Sequence, residues 1–180
     1  MRKAVKIGVV VVGMLAAAYW LLGPPEITTW VWRYPHILKV WKESALADHF
    51  PDQLPASATN VRFSSFPGFL QGGAWIQVRM TLPAAEAKTV FEKASTLASQ
   101  IQDGGSTWAT ANLLEENKMP STNFYTSGSQ NREFPRDYRI FVYHAEPSTK
   151  RETPDWNHGT SRGVVVSLER NEVIYYADRW

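Results

Sequence analysis

Hydrophobic positions are continuous at the start of the chain and periodic after it. Residues 7–23 form a run of seventeen without a charge, and Val9, Val12, Leu15, Trp20, Leu21 and Leu22 supply large apolar side chains within it. As a helix the run is about 25 Å long, a little short of the roughly 30 Å hydrocarbon core it would cross. Snorkelling lysines and interfacial aromatics absorb such a difference. Tyr19, Trp20, Trp30, Trp32 and Tyr34 stand where an outer interface would lie. A transmembrane anchor is therefore expected. The rival is a signal peptide cleaved after Ala18, since Ala16, Ala17 and Ala18 resemble a processing site. The apolar run, however, continues through Trp20, Leu21 and Leu22, where a processed precursor normally turns polar.

Pro24 and Pro25 stop this helix, because proline lacks the backbone donor and clashes with the preceding turn. The pattern resumes with Tyr34, Ile37, Leu38, Trp41 and Ala45 at three- and four-residue steps behind Pro35. That spacing predicts an amphipathic juxtamembrane helix reaching about residue 49. With only Lys39 and Lys42 as cations on its polar side, its stripe is expected to pack on the domain rather than lie on lipid headgroups.

A short strand is predicted over 60–66. From 74 to 82 the alternation is clean, with Ile76, Val78, Met80 and Leu82 on one side and Gln77, Arg79 and Thr81 on the other, which predicts a sheet with one wet face. Pro83 opens the strongest helix of the domain, over about 83–103. Its stripe is Ala87, Val90, Phe91, Ala94, Leu97, Ala98 and Ile101, closed by Gly104 and Gly105. A weaker helix is predicted over 108–118, a polar loop over 119–137, a strand over 138–145 and another loop over 146–161. The chain ends in an antiparallel hairpin of 163–170 and 173–177, turning at Asn171 and Glu172. Without regular strand–helix alternation the fold class is α+β. It comprises a mainly antiparallel sheet of about five strands, covered on one face by the helix at about 83–103 and preceded by the anchor and the juxtamembrane helix.

Charge orients this arrangement. Arg2, Lys3 and Lys6 precede the apolar run, and the first charges after it are Glu26 and Arg33. Positive residues stay inside, so the expectation is a single-pass protein of a bacterial inner membrane. Residues 1–6 would be cytoplasmic, 7–23 the anchor, 24–50 a juxtamembrane helix and linker, and 51–180 a periplasmic domain. Residues 1–50 carry a net +3 and residues 51–180 a net −1, so the domain lacks the basic surplus that a nucleic-acid binder needs to neutralise phosphates.

The chain has no cysteine, which removes thiol nucleophiles, cysteine metal sites and a lipidated cysteine. No Gly-x-Ser-x-Gly elbow is present, and Ser127-Gly128-Ser129 lies in a polar loop without an acid–histidine pattern. Glu115 and Glu116 are adjacent and make no facing dyad. His144, Glu146, Asp155 and His158 would suit a metal if the loop folded back, but their spacing follows no metal signature. No catalytic residue, metal site or cofactor is assigned. The candidate binding residues are Phe66, Phe69 and Leu70, in a turn rich in glycine, together with Trp156 and His158. The pattern as a whole predicts a membrane-tethered, outward-facing, non-enzymatic interaction protein of the cell envelope, accessory or immunity-type, with a protein partner. The alternative is an envelope enzyme acting on cell-wall or glycan substrates.

Overall fold

The alternating stretches near 60–66 and 74–82 fold as a hairpin of β1 (Thr59–Phe66) and β2 (Ala74–Thr81). The computed structural model describes residues 27–68, 73–105, 134–146 and 159–179. Within them β3 (Gln100–Asp103), β4 (Tyr138–Glu146), β5 (Thr160–Ser167) and β6 (Glu172–Arg179) complete one sheet in the order β1-β2-β6-β5-β4-β3. Every neighbouring pair is antiparallel. Helices α1 (Tyr34–Lys42) and α2 (Ala84–Leu97) share one core with the sheet. The architecture is α+β, with six strands rather than about five.

The extra strand comes out of the helix expected over about 83–103. That helix ends at Leu97, where Ala98 turns extended (φ −68°, ψ 130°), and Ile101 sits in β3 opposite Phe141. The backbone explains the switch: Ser99 N–H donates to Val142 O and Gly104 N–H to Tyr138 O, both at 2.9 Å, so the edge of β4 satisfies groups that another helical turn would have used. A β-branched Ile101 suits that pleat. Gly104 therefore closes a strand. A Cβ on it would lie 1.9 Å from Pro135 O, a close pass that only glycine permits.

Packing on the helix-bearing face follows the sequence pattern more closely. Ala87 and Ala94 are fully buried and let α2 approach, while Phe91 meets Phe141 edge-on at 5.1 Å. On α1, with proline in its first turn, Tyr34, Leu38 and Trp41 are buried against Phe63 and the sheet. The stripe of α1 thus packs on the domain, each such side chain contributing about 1.5–3 kcal/mol by leaving water. Tyr34 is a correction to the set of interfacial aromatics: it is wholly buried, edge-on to Phe63 at 5.7 Å, and its hydroxyl donates to Pro51 O. Trp30 and Trp32 stay exposed. Among the described residues no helix is long and apolar enough to cross a membrane; the run at 7–23 lies outside them.

One side chain clamps the turn after α1 to the sheet. His49 Nε2 lies 3.0 Å from Gly163 O and 3.1 Å from Tyr176 O, so Nε2 carries the proton and donates to both carbonyls. Phe50, Tyr143 and Tyr175 surround the ring. Burial penalises the imidazolium; the two carbonyls oppose that effect, and the charges of Arg162 and Lys42 add to it, lowering the pKa from 6.5 to about 4. The unfolded chain then takes up a proton that the folded chain refuses. Stability from this residue is intact above pH 6.5 and declines as pH falls towards 4, by about 3 kcal/mol in all. Urea unfolding of the full chain, stepped from neutral pH downwards, should show this loss, and His49→Gln should flatten it while lowering stability at neutral pH.

Candidate functional site

The second face of the sheet is not the wet face that the alternation in β2 predicts. Gln77 and Asp178 are each 4% exposed, and Ile140, Val165, Ile174 and Tyr176 are fully buried. Register explains how polar and apolar residues share the face. A middle row of Ile140, Val165 and Ile174 runs across β4, β5 and β6. Polar rows flank it: Tyr138, Ser167 and Glu172 towards one end, and Ser161, Asp178 and Trp75 towards the other. A buried polar group is tolerated when it is hydrogen-bonded, and the first of these rows meets that condition.

Glu172 is the centre of that row. Arg79 donates to its Oε2 and the Tyr138 hydroxyl to its Oε1, each at 2.7 Å, so two side chains from β2 and β4 converge on a carboxylate of β6. Burial, then the Glu172 charge, pushes the Tyr138 phenol well above its ordinary range, which keeps it a donor. Glu172 is a second correction to the sequence reading. The turn is made by the four residues at 168–171, with Asn171 taking the positive φ of 54° that asparagine accepts more readily than most residues. Glu172 is the first residue of β6.

The network continues outwards. Arg170 Nε and Ser167 Oγ both donate to Asp137 Oδ2 at 2.7 Å, and the Arg170 guanidinium lies 5.7 Å from the centre of the Tyr138 ring. Burial alone would raise the Asp137 carboxyl, but the hydrogen bonds from Arg170 and Ser167 outweigh it and hold it below the usual carboxylate range. Beside this end of the sheet opens a cleft of about 550 Å³, lined by Phe91, Val166 and Leu168 and by Asp103, Arg136, Asp137, Arg139 and Glu169. Asp103 and Arg139, cross-strand neighbours on β3 and β4, pair at 2.9 Å, which neutralises part of its charge at the surface. The cleft offers apolar contact with charged groups of both signs at its border, a composition suited to binding a protein surface or a peptide.

The residues singled out from sequence fall elsewhere. Phe66 is half-buried and packs on its cross-strand neighbour Trp75, ring centres 4.9 Å apart, with Trp75 Nε1 donating to Ser64 Oγ. Phe69, Leu70, Trp156 and His158 lie outside the described residues, as do Asp155 and the anchor residues Val9, Val12, Leu15, Trp20, Leu21 and Leu22. His144 and Glu146 are brought together on β4, Nε2 to Oε2 at 3.5 Å, both about half exposed. Among the described residues no group of three or more His, Asp or Glu side chains converges as a metal site would require. The Asp137 to Glu172 network and the cleft beside it were missed because their residues sit at strand ends, where sequence reads as loop. A comparison with known protein families, characterised proteins and solved structures finds no match to this chain.

Proposed function

We propose that this chain is a membrane-tethered interaction protein of the bacterial cell envelope, accessory or immunity-type, holding its domain on the periplasmic side of the inner membrane. The observation that carries this reading is the polarity of the N-terminus: three cations, then seventeen residues without charge, then a domain near neutrality. A tether confines the domain near the bilayer and raises its effective concentration for partners that are also held there. The cleft at the β3 and β4 end supports a binding reading: Phe91, Val166 and Leu168 offer apolar contact beside charges of both signs, of which Asp103 and Arg139 pair with each other and Asp137 is held by Arg170.

Two probes on the full chain test the proposal in intact cells. Alkaline phosphatase fused after Trp180 should be active, since it folds only outside the cytoplasm. A photo-crosslinking residue in place of Leu168, which is 42% exposed at the cleft, should give a discrete adduct that the same probe at Lys88, on the outer side of α2, does not. An inactive phosphatase would overturn the tether and the address. An adduct pattern shared by both positions would overturn the cleft as the binding surface.

A further inference from the structure

The largest exposed aromatic feature of the described residues lies next to the chain's entry into the domain. Trp30 and Trp32 are 60% and 74% exposed and Ile27 is 56% exposed, and the two indoles stack with ring centres 5.8 Å apart and planes 19° from parallel. They are not on a free linker. Thr28 forms an isolated antiparallel bridge to Ser65, with Thr28 N–H donating to Ser65 O at 2.8 Å and Ser65 N–H to Thr28 O at 2.9 Å, and Val31–Arg33 wind as a 3-10 turn leading directly into α1. The indoles are thus fixed to the outer edge of β1.

We infer that the folded domain rests on the bilayer through Ile27, Trp30 and Trp32, with the β1 edge of the sheet towards lipid and the cleft at the β3 end held clear of it. The inference rests on the tether reading and adds an orientation to it. Lipid is the occupant for three reasons. Indole places an apolar ring and one N–H donor together, which suits the headgroup layer. Between Glu26 and Glu43 the chain carries Arg33, Lys39 and Lys42; Lys42 is paired with Asp52, which leaves Arg33 and Lys39 as the cations towards an anionic headgroup surface, and Arg33 lies 5.9 Å from the Trp32 ring centre, a cation beside the indole. Only a few residues separate the apolar run ending at Gly23 from Ile27. At about 3.5 Å per residue they cannot carry this edge far from the membrane surface. The six strands span five gaps of roughly 4.8 Å, so β3 stands about 24 Å across the sheet from the docked edge, and the cleft, lined by residues of β3, β4 and β5, lies in that far half, open to a partner in the periplasm.

Because the chain has no cysteine, single-cysteine variants of the full chain can carry a nitroxide in vesicles of phosphatidylethanolamine with a minor share of phosphatidylglycerol. Accessibility to oxygen, which concentrates in lipid, is compared with accessibility to a water-soluble nickel chelate. Labels at Val12→Cys and at Thr29→Cys should both favour oxygen, and a label at Leu97→Cys, exposed beside β3, should favour the chelate. Adding Trp30→Ser and Trp32→Ser should return the Thr29 label to the chelate without moving the Val12 label. A Thr29 label that favours the chelate while the Val12 label favours oxygen would overturn the docked orientation, assign the indoles to water or a protein, and leave the tether standing. A Val12 label that favours the chelate would remove the tether itself, and the inference with it.

Discussion

Replacing Gly163 by alanine should lower stability by about 4 kcal/mol, at the upper end of what a single substitution does. The added Cβ would lie 2.1 Å from Phe141 O and 2.7 Å from the Tyr176 hydroxyl oxygen. The first contact is decisive, since a backbone oxygen cannot swing aside as a side chain can, and the strands must part to admit the methyl. The site is already irregular: the β4 and β5 register shifts between Val142 and His144, next to the pairing of Val142 with Gly163. Gly163 also supplies one of the carbonyls held by His49, so moving β5 loosens the clamp on the opposite face. Urea unfolding of the full chain in detergent micelles checks this, with Gly105→Ala as the control, because nothing stands within 4 Å of a Cβ there. Combining Gly163→Ala with Tyr176→Phe should recover little, as it relieves only the second contact. A loss under about 1 kcal/mol for Gly163→Ala would show that the sheet relaxes cheaply at this point.

The parts of this fold that were legible in the sequence are those where one side of an element meets the core and the other meets water. The stripes of α1 and α2 and the alternation of β2 belong to that class, and their buried members are the expected ones: Leu38, Trp41, Ala87, Ala94, Ile76, Val78 and Met80. The second face of the sheet was misread because Gln77 and Arg79 look like solvent-facing residues until their environment is known. A signal of its burial was nevertheless present. The contiguous apolar runs Ile140 to Tyr143, Val164 to Val166 and Val173 to Ala177 leave no polar side in the middle of β4, β5 and β6, as expected of strands covered on both faces. The boundary between α2 and β3 was beyond local pattern, because Ala98 and Ile101 fit the helical stripe and only pairing with β4 decides against it. His49 was invisible for a similar reason: nothing within its own segment marks the two carbonyls from distant strands that hold it.

Glu172→Ala should cost about 3–5 kcal/mol, the usual consequence of removing one member of a buried ion pair. The Glu172 side chain is 9% exposed and that of Arg79 16%, so deleting the carboxylate removes one ion-pair partner of Arg79 and takes this acceptor from the buried Tyr138 hydroxyl at the same time. Replacing both partners with apolar residues of similar length, Arg79→Met with Glu172→Leu, should recover the part of the loss that comes from the ion pair, because a packed apolar pair avoids the desolvation penalty, but not the part that comes from the acceptor taken from the Tyr138 hydroxyl. Arg139→Ala provides the contrast. Its guanidinium pairs with Asp103 where both side chains are more than half exposed, so stability should change by less than about 1 kcal/mol. If the cleft binds a partner, these two substitutions separate support from contact. Glu172→Ala should lower the unfolding midpoint yet retain the adduct from the Leu168 probe under conditions where the chain is folded, whereas Arg139→Ala should weaken the adduct at unchanged stability. Loss of the adduct in folded Glu172→Ala, with no effect of Arg139→Ala, would show that the adduct depends on the buried network and not on the exposed Asp103–Arg139 pair of the cleft.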